Sequence, residues 1–339
     1  MSSVIGWDIG GVHLKAARAE DGRVTKVAQY ASPLRSGTGP LLHAFAQARM
    51  EMGRADRHIV TMTGELADTF ASRIEGVEHL SALAARELND VSIYAGAAGC
   101  VRPPDARKHY ADIASANWHA CAALIARKRS NALLIDLGST TTDIVPIFGG
   151  KVAARGYTDA QRLAAGELVY TGLVRGFVMA TAGCAPLRGV WTPLINENFA
   201  TMADIHRILG TLPADADLMA TADGRDKTIA ASKARLARML GSDASGADDE
   251  TWESVARWFA ESQIRRITDA ATLVLSGGSS TAAMPIVAAG IGHELIAEVA
   301  RRLGCSCCTI DELIAVAPEM RVAARHCAPA AALALLEPA

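Results

Sequence analysis

The sequence is short of aromatic residues and carries no excess of charge of either sign. Phe, Trp and Tyr make up 5% of the 339 residues, and 34 Lys and Arg nearly balance 36 Asp and Glu. Few aromatic side chains leave little surface on which bases could stack, and a balanced charge provides no basic face for a phosphate backbone. Both absences argue against a nucleic-acid partner and favour small-molecule substrates. The oligomeric state, a homodimer included, stays open.

Long apolar runs are also absent. The most apolar segments, 169–185 and 328–336, are too short or are interrupted by Gly, Pro or Arg, so we expect no membrane-spanning helix. Met1 is soon followed by a predicted strand, and we therefore expect no signal peptide. The seven cysteines are odd in number and lie mostly among apolar residues, as reduced thiols do. Together these features predict a cytoplasmic protein.

The chain has enough apolar residues for two cores. Half of its residues are apolar and 21% are charged, which suits two folded domains. The pattern predicts a β-β-β-α-β-α-β-α unit that occurs twice, in residues 1–130 and 131–339. In the first copy we expect strands at 4–7, 13–18, 23–30, 58–62 and 91–95, and helices at 40–52, from about 65, and at 111–129. In the second we expect strands at 132–137, 143–148, 151–156, 272–275 and 305–310, a helical insertion at about 159–267 and a closing helix at 320–336.

Two well-separated segments share one design, in which a buried strand runs into an aspartate and then into small turn residues. Residues 4–11 have the sequence VIGWDIGG, and residues 133–143 have the sequence LLIDLGSTTTD. Carboxylates at such turns can hold Mg²⁺, usually through its waters, and backbone N–H groups of small residues bind phosphate oxygens. Ordinary β-turns with capping hydroxyls are the alternative for either segment alone.

These two turns supply the candidate site residues. The carboxylates predicted to hold the metal and to act in catalysis are Asp8, Asp136 and Asp143. The residues predicted to bind phosphate are Gly10, Gly11, Gly138, Ser139, Thr140, Thr141 and Thr142. Lys15 shares a strand face with His13 and could reach a phosphate as a point charge, although a solvated strand lysine is an equal alternative.

A third segment, residues 273–280 with the sequence LVLSGGSS, predicts another strand that ends in a glycine pair. Gly277 and Gly278 would let a flat ring or a phosphate lie against the backbone, and a following helix N-terminus would favour anions. No G-x-x-x-x-G-K-[ST] sequence occurs, so phosphate would be held without a Walker lysine.

The three segments together resemble a known superfamily. Asp8-Ile-Gly-Gly, residues 136–143 and Ser276-Gly-Gly-Ser are similar, in order and spacing, to the phosphate-1, phosphate-2 and adenosine motifs of the actin, sugar-kinase and Hsp70 superfamily. Within it the chain resembles the hydantoinase/oxoprolinase-like group, and most of all the proteins of the tetrahydromethanopterin-linked one-carbon transfer pathway. The stretches that carry this resemblance are 6–17, 62–66, 114–118, 166–172, 200–204 and 221–224.

The resemblance implies an α/β fold of two duplicated ribonuclease-H-like domains, with a central cleft and a helical insertion in the second half. It also implies the chemistry of archaeal relatives, which join an aminomethylfuran diphosphate to γ-glutamyltyramine in methanofuran biosynthesis. In that transferase reaction the phenol oxygen displaces diphosphate and forms an aryl ether, with Mg²⁺ as cofactor and ATP not favoured.

The wider superfamily implies two alternatives. One is an ATP-dependent kinase or a hydantoinase/oxoprolinase-like hydrolase, in which Gly277 and Gly278 would bind adenosine. The other, least favoured, is a non-catalytic protein switched by a nucleotide.

A general base for the phenol would come from the stretches that carry the resemblance. Glu65, His119 and Glu167 are the candidates, and Glu167 is preferred because small and hydroxyl residues surround it. A helix-surface carboxylate is the alternative for Glu167, and a satisfied core histidine is the alternative for His119. Asp204 and Asp223 are expected to cap helices.

Cys305 and Cys308 have the C-x-x-C spacing of zinc or redox sites. No second ligand pair with matching spacing follows them in the sequence. A buried strand is therefore the favoured interpretation of this segment.

Overall fold

The computed structural model describes residues 2–214, 216–277 and 284–336 of the chain. The strands in these ranges are β1 Ser3–Ile9, β2 His13–Glu20, β3 Arg23–Ala31, β4 Arg57–Met62, β5 Val91–Tyr94, β6 Cys100–Val101, β7 Ala132–Leu137, β8 Thr142–Phe148, β9 Lys151–Val152, β10 Leu168–Val169, β11 Cys184–Leu187, β12 Val190–Pro193, β13 Ile286–Ala289 and β14 Cys307–Thr309. The helices are α1 Gly39–Met52, α2 Arg73–Glu87, α3 Tyr110–Ile113, α4 Asn117–Ala126, α5 Asp159–Ala165, α6 Val178–Thr181, α7 Met202–Ile208, α8 Ile229–Met239, α9 Asp249–Ser276, α10 His293–Leu303, α11 Ile310–Leu313, α12 Arg321–His326 and α13 Ala328–Leu335. Within the described ranges, none of these helices has the length and apolar character needed to cross a membrane.

Two sheets repeat one arrangement of strands. In the first, with the order β3-β2-β1-β4-β5-β6, the central strand β1 lies between antiparallel β2 and parallel β4. In the second, with the order β10-β8-β7-β13-β14, β7 lies between antiparallel β8 and parallel β13. Strand β7 is buried at every position, as expected for a central strand that is covered on both faces. The aspartates of the two motifs therefore occupy equivalent places near the carboxyl ends of equivalent strands.

A core of small residues joins the two sheets. It contains residues of both sheets together with the inner faces of α4 and α13. Helix α13 has the sequence APAAALAL, and its short side chains let it approach β1 closely. A β-carbon at Gly6 would lie only 2.1 Å from the carbonyl oxygen of Ala330. The absence of a side chain at this point of β1 is therefore a requirement of the packing.

The predicted strand at 272–275 is wrong, because these residues form the last turns of the 28-residue helix α9. Apolar side chains bury one face of α9 from Trp252 through Phe259 and Ile267 to Val274, which is a helical period. The short apolar run at the end of this helix imitates a strand when it is taken alone. The strand that pairs in parallel with β7 is β13, which was not predicted.

Other predicted elements differ in their limits. The helix expected from residue 65 is a single 3-10 turn, Gly64–Leu66, and α2 begins only after its capping residue Ser72. The helix expected at 111–129 is divided into α3 and α4, and the closing helix is divided into α12 and α13 at Cys327. The insertion contains α5 to α9, and it also contains the hairpin β11–β12.

Gly6→Ala should lower the free energy of unfolding by about 2 kcal/mol or more, since the added methyl group overlaps backbone atoms of α13 that cannot rotate away. Urea unfolding measures the change. Gly183→Ala is the matched control, because a β-carbon at Gly183 meets no atom within 4 Å. Equal stability of the two variants would contradict the packing described for β1 and α13.

Candidate active site

A polar cleft of about 530 Å³ lies between the two halves of the chain. It is lined by turn and strand residues from both halves. From the predicted set it brings together Asp8, Gly10, Gly11, Lys15, Asp136, Gly138, Ser139, Thr140, Thr141 and Asp143. Two aspartate turns that are distant in sequence thus meet across one cavity.

The turns are closed by their own backbone. The N–H of Gly10 donates to the His13 carbonyl at 2.9 Å, and the N–H of Gly138 donates to the Thr141 carbonyl at 2.9 Å. These glycines shape the turns, because their N–H groups are already used. Binding groups are then expected from Gly11 and from Ser139 and its neighbours.

Three carboxylates share the buried part of the cleft and repel one another. Burial raises the pKa of Asp136 to about 7, with Asp143 and Asp8 adding to the rise and Lys15 opposing it. Burial also raises the pKa of Asp8 and of Asp143. The Oδ1 atom of Asp8 is buried without a hydrogen-bond partner. This charge would be relieved by a cation or by a ligand that carries one.

Lys15 is the cation that the fold places beside these carboxylates. It stands opposite Asp8 in the β1–β2 pairing, and its Nζ lies 3.9 Å from Asp8 Oδ2. Burial acts to lower the pKa of Lys15, but Asp8 together with Cys327, Asp136 and Cys121 outweighs it, so the pKa is raised and the ammonium stays charged. Lys15 therefore lies in the cleft as a half-buried point charge and is not the fully solvated lysine of the alternative interpretation.

Asp143 faces the cleft but is already paired. Its Oδ1 accepts a hydrogen bond from Arg162 Nη1 at 2.8 Å, and the Arg162 side chain is only 1% exposed. The guanidinium carbon of Arg162 also lies 4.1 Å from the centre of the Trp118 ring. One oxygen of Asp143 is therefore committed to Arg162, which limits the predicted sharing of an ion with Asp8 and Asp136.

Several lining residues were not predicted as site residues. They include polar and basic side chains that could meet an anion or a polar substrate: His13, Arg35, Thr63, Ser115, Asn117, Asp159, Tyr170 and Arg175. Arg175 Nη1 lies 3.4 Å from Thr140 Oγ1, and burial together with nearby Arg35 lowers the pKa of Arg175. The buried atoms His13 Nε2 and Ser139 Oγ have no hydrogen-bond partner. Arg35 and Arg175 lie in loops without a motif, so no sequence pattern marked them.

Glu167 does not reach the cleft. Its side chain is fully buried, and its two carboxylate oxygens accept the N–H groups of Arg155 at 2.6 Å and Gly156 at 3.0 Å. A carboxylate held in this way positions the loop before α5, so it is not available as the base for a phenol. Thr142 is also turned away, because its buried hydroxyl donates to the Thr171 carbonyl at 2.7 Å.

Gly277 and His119 lie outside the cleft as well. Gly277 follows the end of α9 and has the Arg155 guanidinium as a neighbour, while Gly278 lies outside the described residues. His119 packs against Trp118 and shares a 2.8 Å hydrogen bond with the Tyr94 hydroxyl, which is the environment of a core histidine.

Asp204, Asp223 and the cysteine segment do not line the cleft. Asp204 completes a capping box at the start of α7 and pairs with the buried Arg235, which also contacts Asp223. Cys307 and Cys308 begin strand β14, so the predicted strand is present, but it is not the buried strand expected, because Cys307 is exposed and Cys308 is half-buried; both are free thiols.

A magnesium site remains a prediction. Among the described residues, no group of three or more His, Cys, Asp or Glu side chains is close enough together to hold a metal ion. Mg²⁺ often keeps several waters and binds through one or two carboxylates. The unpartnered Asp8 oxygen and the raised pKa of Asp136 fit an ion held in that way.

The family follows from a comparison with known proteins. The model of the hydantoinase/oxoprolinase family matches residues 56–325. This chain belongs to the hydantoinase/oxoprolinase family. The match includes the Asp136 turn, Glu65 and Ser115, and it begins after the Asp8 turn.

Two relatives carry the same name, (4-{4-[2-(gamma-L-glutamylamino)ethyl]phenoxymethyl}furan-2-yl)methanamine synthase. The protein from Methanocaldococcus jannaschii is 32% identical over 249 residues, which cover 73% of this chain and 74% of that protein. The protein from Methanococcus vannielii is 35% identical over 113 residues, which cover 33% of this chain and 50% of that protein.

A solved structure supports the fold. The nucleotide-free structure of acetone carboxylase, an enzyme of ATP-dependent acetone carboxylation, is similar with a TM-score of 0.55 at 12% identity, covering 89% of this chain and 67% of that chain. The predicted fold class, an α/β chain of duplicated ribonuclease-H-like units of the actin, sugar-kinase and Hsp70 type, is confirmed by this likeness and by the repeated sheets.

Asp136→Asn should stabilise the ligand-free protein at alkaline pH and leave it unchanged near pH 4. Burial raises the pKa of the folded Asp136 carboxyl to about 7 from its ordinary value of 3.8, so the stability that this group contributes is complete below the lower pKa and is lost as pH rises through the higher one. We expect a gain of about 4 kcal/mol at pH 8 in the absence of Mg²⁺. Thermal unfolding at both pH values measures it, and a variant that is less stable at pH 8 would contradict the electrostatics described for the cleft.

Proposed function

We propose that this protein is a transferase of methanofuran-type cofactor biosynthesis that forms an aryl ether between a furan and a tyramine. One observation carries the proposal: a cleft built from two opposed aspartate turns occurs in a chain that shares 249 aligned residues with a furan–tyramine synthase. The product in the name of that relative contains a phenoxymethylfuran, so its synthesis can be completed by joining a phenol oxygen to a furan methylene carbon.

The reaction that fits this linkage is a displacement. The substrates are an (aminomethyl)furanmethyl diphosphate and γ-glutamyltyramine, and the products are the ether and diphosphate. A lone pair of the phenol oxygen forms the new C–O bond, the old C–O bond breaks with its electrons on the diphosphate, and the phenol proton passes to a base. Because the furan ring stabilises positive charge on the methylene carbon, the main task of the protein is to stabilise the departing anion.

The cleft offers the groups that a diphosphate needs. Lys15, Arg35 and Arg175 supply positive charge, and the unpartnered hydroxyl of Ser139 supplies a donor. Turn residues Gly11 and Thr140 would add backbone contacts, since small residues let phosphate approach the main chain. Charge-assisted hydrogen bonds to phosphate are stronger than neutral ones, and they gain further as charge builds on the leaving group.

Mg²⁺ would lie with the carboxylates of the same cleft. Asp8 and Asp136 would hold it through water, and Asp143, fixed by Arg162, would contribute charge from one side. When bound, the ion would neutralise negative charge on the departing diphosphate. Lys15 would keep the carboxylates oriented and would contact the phosphate oxygens.

An ATP-dependent kinase or hydrolase reaction is the alternative, and it has less support. The adenosine turn on which it was based required a strand at residues 272–275, and this segment is the end of helix α9. As part of the proposal, the protein acts on small molecules in the cytoplasm, within the tetrahydromethanopterin-linked one-carbon pathway.

The purified protein should make ether product from furan diphosphate and γ-glutamyltyramine with Mg²⁺ and without ATP. The product is measured by mass spectrometry, and released diphosphate is measured by a coupled phosphate assay. Product formation that depends strictly on ATP hydrolysis would contradict the proposal.

Asp8→Asn and Asp136→Asn should each lower the rate of ether formation by at least about 100-fold. Each substitution removes a carboxylate that would hold Mg²⁺, and the ion would neutralise negative charge on the departing diphosphate. Asp269→Asn is the matched control, since Asp269 is exposed on α9 and pairs only with the neighbouring turn at Arg265. Full turnover of both cleft variants would mean that the metal assignment is wrong.

A further inference from the structure

We propose that Ser115 and Glu65 form the pair that takes the proton from the attacking phenol, with Ser115 facing the substrate and Glu65 acting through Ser115. The inference rests on the proposed function, because ether formation from a phenol needs a proton acceptor. Glu167, the residue preferred on sequence grounds, cannot fill that role in this fold.

The backbone brings the two residues together at one end of strand β4. Ala114 forms a parallel bridge with Met62, the last residue of β4, so the chain around Ser115 runs beside the chain that leads to Glu65. The Ser115 hydroxyl donates a hydrogen bond to Glu65 Oε1 at 2.8 Å. Ser115 lines the cleft, and so do Thr63 and Leu66 on either side of the Glu65 turn.

Ser115 holds a strained backbone conformation. Its φ angle is +55°, in the left-handed region that residues with a β-carbon rarely adopt. Such strain persists only where the surrounding structure enforces it, and it occurs often at functional sites. Here the conformation accompanies a hydroxyl that lines the cavity while bonded to a buried carboxylate.

Glu65 is a buried carboxyl group that can accept a further hydrogen bond. Its side chain is 1% exposed, and its Oε2 atom has no hydrogen-bond partner. Gly76 of helix α2 packs on its backbone so closely that a β-carbon there would lie 2.5 Å from the Glu65 carbonyl oxygen. The Glu65 turn is therefore firmly held.

Burial and the groups around Glu65 place its pKa near neutral pH. Burial raises the pKa of Glu65 to about 7, whereas the Ser115 hydrogen bond, the main-chain N–H of Glu65 itself and Arg73 lower it, and Asp159 raises it. Arg73 of α2 and Asp159 of α5 also form an ion pair that joins the two halves of the chain. A carboxyl that titrates near neutral pH can accept a proton during the reaction and release it afterwards.

Other acidic groups of the cleft have different surroundings. Asp8 and Asp136 lie beside Lys15, at the end of the cleft assigned to diphosphate. Asp143 is paired with Arg162, and Asp159 is paired with Arg73. Among the carboxyl groups at or beside the cleft, Glu65 combines burial, a hydroxyl partner and an unpartnered oxygen.

The proton transfer balances without another reactant. As the phenol oxygen bonds to the methylene carbon, its proton passes to Ser115 Oγ, and the Ser115 proton passes to Glu65 Oε1. The electron pair of the broken C–O bond leaves with diphosphate. Glu65 then releases its proton to solvent, and the pair is restored.

Binding of γ-glutamyl-3-nitrotyramine tests the pair without turnover, because its ionised phenol absorbs visible light. With the wild-type protein, the bound phenol should be ionised at a pH at which the free compound is mostly protonated. Glu65→Gln and Ser115→Ala should abolish that shift while the compound still binds. Ser81→Ala is the control, since Ser81 is likewise a buried serine but lies on helix α2, and its hydroxyl, unlike that of Ser115, has no hydrogen-bond partner among the described residues. An unchanged shift in both cleft variants would overturn the proposal.

Ether formation gives the second readout. With γ-glutamyltyramine, Glu65→Gln should lower kcat by about 100-fold, the usual contribution of a base. A difluorinated tyramine with a more acidic phenol should restore at least a tenth of the wild-type rate, which a merely structural defect would not allow. Because Asp136 also titrates near neutral pH, the acidity of the phenol is varied rather than the pH.

The two proposals fail in distinguishable ways. Absence of ether with the wild-type protein would contradict the proposed function, while the ionisation of the bound nitrophenol still reports on Ser115 and Glu65. Ether formation that falls equally with both tyramines in the Glu65→Gln variant would leave the function standing and would overturn the proton-transfer pair.

Discussion

The burial of three carboxylates in one cleft is the constraint on which the rest of the structure depends. Asp8 and Asp136 end equivalent central strands, and the repeated topology brings both to the same cavity, where Asp143 joins them. Burial, together with repulsion by Asp143 and Asp8, raises the pKa of Asp136 to about 7, and Lys15 offsets only part of the rise. The site is therefore arranged for a ligand that brings positive charge with it, and a diphosphate accompanied by Mg²⁺ has that character.

The three carboxylates share one cleft only if the two sheets stay close together. The alanine-rich core between the sheets holds them in contact. Helix α13 consists mostly of alanine and lies against β1 at Gly6, where no side chain would fit. The ion pair between Arg73 and Asp159 joins the halves on another side of the cleft. The distance between the aspartate turns is thus set by packing beside them, which explains why a site made from two segments distant in sequence can be held together.

Much of the fold and part of the site could be predicted from the sequence. The turns at Asp8 and Asp136 were recognisable because a strand, an aspartate and small residues follow one another locally, and the cleft contains both. Residues 272–275 were misassigned, because four apolar residues do not distinguish a strand from a helix end. Glu167 was preferred from its neighbours in sequence, whereas its partners, the backbone N–H groups of Arg155 and Gly156, are set by tertiary structure. Arg162, Arg175 and the strain at Ser115 likewise depend on contacts between distant segments.

The central claim is that the paired aspartate turns bind a diphosphate together with Mg²⁺. Calorimetric titration with inorganic diphosphate tests it most directly, with and without Mg²⁺, on the wild-type protein and the Asp136→Asn variant. The account predicts saturable binding to the wild-type protein that requires Mg²⁺ and is lost in the variant. Binding that is indifferent to Mg²⁺ and to Asp136, or the absence of any binding to the wild-type protein, would contradict it.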